Sequence, residues 1–387
     1  MRRVSEHLSA SDREIHDLLV SSKQRITEGV LREIARSRGI FFSANETREE
    51  LAEKLSILPH DYFDIVDLIE RRQSSSRGEK TTTVTLDVSV SQDELKEVLG
   101  SYQVDKAGDE VVKFNLAGTQ SAVMEIDYNE FDFSKTRLAQ RQPKEARIEF
   151  RLTKEGVSVR MPATEKARNV LASLQDKLGS LKKKEIDSKA IEVGALTSPA
   201  LRTKFFTTLI SKLPKYTYRT VTNVKVSPGV VEEEDEELTL EDGEAAEKKE
   251  EILSYVRSVA MSGENLAVSP EYKQLLESGY FVTAITWKAE HRESPYHLIR
   301  FDAGFEKGAA GTGFRYSIRY APRLKDGTYS TTFRSFDAIE KEQHLQALES
   351  FARVTLDALL KEMENGEAAK LPVADAGVDA EKKDGAG

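Results

Sequence analysis

The chain has 387 residues, a formal net charge of −9 at pH 7, and 39% hydrophobic against 32% charged residues. This length and composition predict a globular protein of two or three domains. The sequence contains no cysteine, which excludes disulfides, thiolate metal sites and a cysteine nucleophile and is typical of a reducing cytoplasm. It shows neither a signal peptide nor an apolar segment of membrane-spanning length. We therefore expect a cytoplasmic protein without a membrane partner.

The first 76 residues have the pattern of helices only. Ser11 and Thr47 each stand three residues before a glutamate, which is the capping box that begins a helix. Apolar residues at helical spacing follow both signals, and a third helix is predicted over about residues 61–72, with Phe63 facing inward. We predict a small all-helical module over residues 1–76, which ends in a serine-rich linker.

Within this module, two predicted helices are joined by an extended loop that contains a glycine. Residues 28–58 resemble the SAP family of DNA-binding helix–extended loop–helix modules, and the matching residues are Leu31, Ile34, Gly39, Ile40, Glu50, Leu51 and Leu55. The resemblance implies that fold and contact with DNA. The family usually places a Gly and a Lys just before the second helix, where this chain has Ala44, Asn45, Glu46 and Thr47. A protein-docking or purely structural module is the alternative.

From residue 80 the periodicity changes to that of strands. Val84, Leu86 and Val88 alternate with polar residues, as in a strand with one buried face. The same reasoning predicts strands at 111–116, 122–128, 147–153, 157–161 and 216–226. Ser198 and Pro199 provide an N-cap and a first-turn proline for a helix. We predict an α+β domain over residues 80–228.

The stretch after this domain is strongly acidic. Residues 232–251 contain 12 acidic and 2 basic side chains, which predicts a disordered acidic linker over 229–251. Alternating strands and a closing amphipathic helix predict a second α+β domain over residues 252–365, followed by a disordered tail at 366–387. The predicted fold class is therefore α+β: a small all-helical N-terminal module followed by two α+β domains with mainly antiparallel sheets.

A basic block stands out against the acidic background. Residues 131–227 contain 21 Lys or Arg and 9 Asp or Glu, and such a local excess favours a polyanionic partner. The candidate phosphate contacts are Arg147, Arg151, Arg160, Lys182, Lys183, Lys184, Arg202, Lys204, Lys215, Arg219 and Lys225. The first three would share one hairpin face, and the three consecutive lysines would lie in a mobile loop. The alternative is that all eleven are ordinary solvated side chains.

The acidic linker has two interpretations. Tethered near a basic surface, it would compete with nucleic acid at high effective concentration. Otherwise it is a solubilising spacer between two domains.

The C-terminal sheet has one cationic and one aromatic face. The cationic face would contain Lys288, Arg300, Arg315, Arg319 and Arg334, and the aromatic face Trp287, Phe301, Phe314, Tyr316 and Tyr320. Exposed aromatic rings would stack on bases. Alternation with charged neighbours is what a half-buried sheet requires, so we predict that the aromatic face is the core.

No catalytic or cofactor motif is found. Glu290, His291 and His297 would meet across a hairpin, but surface histidines beside a turn are the simpler interpretation. We predict no catalytic residue, no metal site and no cofactor. The leading hypothesis is a non-enzymatic nucleic-acid-binding protein, with DNA favoured over RNA. The alternative is an adaptor subunit that binds other proteins through its helical module and C-terminal domain. A metal-dependent nuclease without a recognisable motif is the third hypothesis.

Overall fold

The computed structural model describes residues 9–72, 79–108, 110–118, 120–154, 156–228, 259–262 and 270–368. It forms two compact units, one up to Lys189 and one from Ala190, here called unit 1 and unit 2. The α+β class is confirmed. The predicted linkers at 74–78 and 229–251 and most of the predicted tail lie outside the described residues. None of the helices in the described ranges is long and apolar enough to cross a membrane.

Unit 1 begins with four helices: α1 (Asp12–Ser21), α2 (Glu28–Ser37), α3 (Arg48–Ser56) and α4 (Tyr62–Arg72). Capping boxes begin α1 at Ser11 and α3 at Thr47, as predicted. Leu18, Leu31 and Leu51 are fully buried in the core that the four helices share. The helices therefore form a module with a hydrophobic core of its own.

Phe63 on α4 does not face this core, contrary to the prediction. Its side chain is 77% exposed, whereas Ile65 and Leu68 are buried. The reason is helical geometry: residues two apart lie on nearly opposite faces, so Phe63 and Ile65 cannot both point inward.

The rest of unit 1 is an antiparallel sheet with helices. Its elements are β1 (Thr81–Leu86), α5 (Gln92–Asp105), β2 (Val111–Ala117), β3 (Ser121–Phe131), α6 (Arg137–Gln140), β4 (Arg141–Thr153), β5 (Gly156–Pro162) and α7 (Glu165–Lys182). The strand order is β2-β3-β4-β5-β1, and every neighbouring pair is antiparallel. Residues of α5 and α7 such as Leu99 and Leu174 pack with Met124, Ile148 and Val159 in one core. The opposite face of the sheet carries the polar residues of each strand. Unit 1 ends within the short strand β6 (Ser188–Ala190).

Unit 2 is built on antiparallel strands with helices packed on them. Its elements are α8 (Pro199–Lys212), β7 (Tyr216–Pro228), β8 (Val259–Ser262), α9 (Pro270–Glu277), β9 (Tyr280–His291), β10 (Leu298–Lys307), β11 (Thr312–Ala321) and α10 (Ala338–Ala368). The strand order is β11-β10-β9-β7-β8. Trp287 and Phe301 are fully buried and stack with ring centroids 5.0 Å apart. The prediction that the aromatic face is the core is confirmed.

Close packing between two strands of unit 2 depends on a glycine. Gly304 of β10 pairs with Ala284 of β9. A Cβ atom added at Gly304 would lie 2.3 Å from the Cβ of Ala284, a distance that real Cβ atoms do not reach. The two strands therefore pack at this point only because residue 304 has no side chain.

The boundary between the units differs from the predicted one. Residues 80–228 were expected to form one domain, but the structure divides the chain between Lys189 and Ala190. The reason is strand pairing, because β7 pairs with β9 from Tyr216↔His291 to Pro228↔Tyr280. In addition, Phe205 of α8 is buried in the core of unit 2.

The predicted acidic linker does not join two domains. It leaves β7 after Pro228, and the chain returns in β8, which pairs with β7 through Val226↔Val259. Both ends of this segment, residues 229–258, are therefore held at one edge of the sheet of unit 2. We call it the acidic loop.

Candidate functional site

The eleven predicted phosphate contacts are divided between the two units. Arg147, Arg151, Arg160 and Lys182–Lys184 belong to unit 1, and the other five belong to unit 2. The two groups are therefore described separately.

The three hairpin arginines share the polar face of β4 and β5, as predicted, but carboxylates lie between them. Arg147 contacts Glu125 at 3.3 Å and Glu149 at 3.1 Å, and Arg160 contacts the other oxygen of Glu149 at 3.1 Å. Arg151 lies two residues beyond Glu149 on the same face. Arginines and carboxylates alternate along this face, so most of its positive charge is balanced locally.

The first of the three consecutive lysines ends a helix, and the other two lie in the turn that follows it. Lys182 is the last residue of α7 and forms an ion pair with Glu94 at 2.6 Å. This hydrogen bond, together with one from the backbone of Ser91, lowers the pKa of Glu94 to about 2. Lys183 is the left-handed C-cap, with φ of 53°, and its N–H bonds to the carbonyl of Gly179. Lys183 and Lys184 are exposed, so they remain available to a ligand.

In unit 2, one predicted contact has a structural role. The Arg202 guanidinium donates to the carbonyls of Gly194, Leu196 and Ala309 at 2.7 to 3.1 Å. It also lies 4.8 Å from the ring centroid of Phe281, and burial lowers its pKa. Arg202 therefore ties the segment before α8 to the β10–β11 turn.

The remaining predicted contacts of unit 2 are on the surface. Lys204 pairs with Glu362 at 2.6 Å, and Lys215 pairs with Glu293 at 3.1 Å. Arg219 donates to Glu290, with 3.1 Å from its Nε. Lys225 is exposed on β7. At least six of the eleven predicted residues thus form ion pairs with this chain's own carboxylates: Arg147, Arg160, Lys182, Lys204, Lys215 and Arg219.

A different set of cations is brought together by strand register in unit 2. Arg300 of β10 stands directly opposite Lys288 of β9 on one side and Arg319 of β11 on the other. Directly opposite side chains have Cβ atoms about 4.5–5.5 Å apart and point to the same face. We call Lys288, Arg300 and Arg319 the cationic row. All three are half-buried.

The surroundings of the cationic row hold its central arginine in place. The Arg300 guanidinium lies 4.9 Å from the ring centroid of Phe333, in a cation–π contact. Burial and the neighbouring charge of Arg319 lower the pKa of Arg300, and Asp302 acts in the opposite direction. Like charges placed directly opposite each other destabilise a sheet. The register therefore places three cations at one level, with Asp302 two residues from Arg300 on the same strand.

The histidines form an aromatic cluster in unit 2. His344 of α10 accepts or donates a hydrogen bond at 2.6 Å with the Tyr216 hydroxyl, and its ring contacts His291 edge to face at 5.1 Å. His297 stacks on Tyr320 at 4.6 Å. Burial, followed by the neighbouring histidines, lowers the pKa of His344 to about 4. In the part of the chain that the structure describes, no group of three metal-ligating side chains is arranged to hold an ion.

In the helical module, a side chain of α2 hydrogen-bonds to the backbone of the loop that resembles a SAP loop. The Arg32 guanidinium donates to the carbonyls of Ser43 and Glu46 at 2.9 Å. Glu46 pairs with Lys54 at 3.1 Å, while Phe41 is 81% exposed. The surface of this loop therefore includes the exposed apolar ring of Phe41 as well as part of the charged side chain of Glu46.

Comparisons with known proteins identify no relative. No protein-family model matches the chain, and no curated protein matches it.

Proposed function

We propose that this protein is a non-enzymatic nucleic-acid-binding protein whose phosphate contacts come from the cationic row. The observation that carries the proposal is the register of β9, β10 and β11, which aligns Lys288, Arg300 and Arg319. Phosphate oxygens are bound by lysine and by the guanidinium fork of arginine. A phosphate backbone that crosses the three strands at this level would meet all three cations together.

DNA is the proposed partner, and RNA is the comparison. The contacts would be to the backbone, so we expect weak dependence on sequence and strong dependence on salt. The exposed Lys183, Lys184 and Lys225 would add secondary contacts from the basic block.

The test is a salt titration of binding to short single- and double-stranded DNA and RNA. The full chain is compared with the triple variant Lys288→Gln, Arg300→Gln, Arg319→Gln. For duplex DNA each phosphate contact contributes about 0.9 to the slope of log affinity against log salt. Loss of three contacts should therefore reduce the slope by about 2.7.

A matched control removes the same charge elsewhere. The variant Lys182→Gln, Lys204→Gln, Lys215→Gln neutralises three lysines that already pair with carboxylates. It should retain most of the affinity. Equal losses in both variants would show that only net charge matters, and no binding by the full chain at low salt would reject the function itself.

The second candidate function is that of an adaptor, favoured by exposed apolar side chains on the helical module. Phe41, Ile57 and Phe63 are 81%, 66% and 77% exposed. Arg38 donates to the carbonyl of Pro59 and pairs with Asp64 at 2.8 Å, which holds the segment before Phe41 beside the start of α4. A stoichiometric partner that is lost in the variant Phe41→Ser, Phe63→Ser, in a preparation free of nucleic acid, would favour this function.

A further inference from the structure

Unit 1 contains a cleft at one end of its sheet. The cleft has a volume of about 500 Å³ and lies where β3 meets the first turns of α7. It is lined by Glu110, Tyr128, Asn129, Glu130, Phe131, Glu165, Lys166 and Asn169. Clefts of roughly 300–1,000 Å³ are large enough to bury a compact ligand or one or two side chains of a partner.

An exposed aromatic pair lies at the cleft: Phe131 lines it, and Phe133 stacks on Phe131. Phe131 and Phe133 are 56% and 79% exposed, and their rings stack with centroids 6.1 Å apart and planes 16° apart. Large rings are buried in most folded chains, and a stacked pair left at the surface is typical of an interaction site. Aromatic side chains of this kind are frequent anchors in protein interfaces.

The charge of the cleft is negative. Glu130 and Glu165 are exposed, and Glu110 lies deeper, in an ion pair with Lys166. Glu79 lies close enough to Glu130 for that negative charge to act on it, and Lys144 pairs with Glu130. Three carboxylates and one lysine therefore line the cleft. Burial raises the pKa of nearby Glu79, while Lys144 lowers it and Glu130 raises it to a smaller extent.

We propose that this cleft docks a basic segment of a partner protein. A large apolar side chain of the segment would pack on Phe131 and Phe133, and its Lys or Arg side chains would contact Glu130 and Glu165. Charge complementarity selects a basic partner, and the aromatic pair requires at least one apolar anchor in it. This proposal does not rest on nucleic-acid binding, because none of the residues that it uses is among the proposed phosphate contacts.

The test uses the full chain and a labelled eight-residue peptide with six Lys or Arg residues around a central Phe-Leu pair. Fluorescence anisotropy measures its affinity for the unmodified chain and for the variant Phe131→Ser, Phe133→Ser. Both side chains are exposed, so the variant should keep its thermal midpoint. Loss of an aromatic anchor is expected to weaken binding by about tenfold or more.

Two matched controls distinguish peptide binding at the cleft from binding that depends only on net charge or on any exposed aromatic ring. The variant Phe41→Ser, Phe63→Ser removes exposed rings from the helical module and should bind the peptide as the unmodified chain does. The variant Glu130→Gln, Glu165→Gln should weaken binding at low salt more than Glu97→Gln, Glu185→Gln, which changes the net charge equally.

Several results would overturn the proposal. These are no peptide binding at low salt, equal affinity for a peptide whose central pair is Ser-Gly, and equal affinity in the Phe131→Ser, Phe133→Ser variant. Self-association of the chain that this variant abolishes would show that a second copy occupies the cleft instead. Unchanged DNA binding by the cleft variants would confirm that the two sites are separate, and a parallel loss of both would reject their independence.

Discussion

A buried arginine connects three helices of the N-terminal module. Arg48 is only 8% exposed at the start of α3. Its Nε donates to the carbonyl of Ile26 at 3.1 Å, and its Nη2 donates to the carbonyl of Leu19 at 2.6 Å. These carbonyls belong to the end of α1 and the turn before α2, so one side chain satisfies acceptors that the helices leave open.

Replacing Arg48 by methionine should destabilise the module. The apolar chain would fill the space but would leave two buried carbonyls without donors, at about 1–3 kcal/mol each. Denaturant unfolding, with hydrogen exchange of α1 and α3 as the local measurement, would detect the change. Arg36→Met at an exposed position should leave both measurements unchanged. Unaltered exchange in the Arg48 variant would contradict the role of this side chain.

The histidine cluster predicts a pH dependence of stability. The folded-state pKa of His344, about 4, lies below the ordinary value of 6.5, so folding favours the neutral ring. The stabilisation of the folded state by the neutral His344 ring is therefore fully present above pH 6.5 and is lost as the pH falls toward 4. The neighbouring His291 and His297 contribute to the lowering of the His344 pKa.

Thermal unfolding between pH 7 and pH 5 would measure this effect. The midpoint of the unmodified chain should fall over this range, and the fall should be smaller in His344→Asn. Asparagine keeps a hydrogen-bonding group near the Tyr216 hydroxyl without a titrating ring. Parallel curves for the two proteins would show that the loss of stability comes from other groups.

At the scale of elements, the sequence predicted helices and strands well wherever a local signal exists. The capping boxes at Ser11 and Thr47 both begin helices. The alternation around Trp287 and Phe301 correctly separated the core face from the cationic face. These signals depend only on side chains a few residues apart, and the structure preserves them.

Strand register was not predictable in the same way. Alternation places Lys288, Arg300 and Arg319 on one face, but only the pairing of β9, β10 and β11 places them at one level. The neutralisation of Arg147 and Arg160 likewise depends on Glu125 and Glu149 of paired strands. A count of charges along the sequence cannot predict these contacts, because strand pairing brings the residues of different strands together.

The hairpin of unit 1 allows a test of that neutralisation. Glu149→Gln removes the carboxylate between Arg147 and Arg160, so both arginines gain freedom to contact phosphate. DNA affinity at low salt should rise, and stability should fall by about 0.5–1 kcal/mol, as for an exposed ion pair. Glu145→Gln is the matched control on the same strand. An equal gain in DNA affinity in the two variants would show that only the loss of one negative charge matters, and not its position.

At the scale of the whole molecule, the position of the acidic loop gives the predicted competition a physical basis. The loop begins and ends on β7 and β8, and β7 is the neighbour of β9, which contains Lys288. Both ends of the loop leave the sheet near Tyr280, which lies eight residues from Lys288 along β9, or about 27 Å at 3.4 Å per residue. The loop is tethered to the sheet that carries the cationic row, and we expect this tether to raise the effective concentration of its carboxylates at the row.

We therefore expect that a chain without residues 229–251 binds DNA more tightly than the full chain. The difference should be largest at low salt and should shrink as salt screens both interactions. In the cationic-row triple variant the deletion should have much less effect. Equal affinities of the full and shortened chains would make the acidic loop a spacer with no part in binding.

The close approach of Gly304 and Ala284 also restricts how this protein can change over generations. A substitution at residue 304 alone would push β10 away from β9, four residues from the pair of Arg300 and Lys288. A change of Ala284 to glycine would not make room for it, because the added Cβ atom would still lie 2.8 Å from the Cα of residue 284 and 3.0 Å from the carbonyl oxygen of Thr283. Random mutagenesis with selection for a folded chain should therefore keep glycine at residue 304, whether or not Ala284 changes.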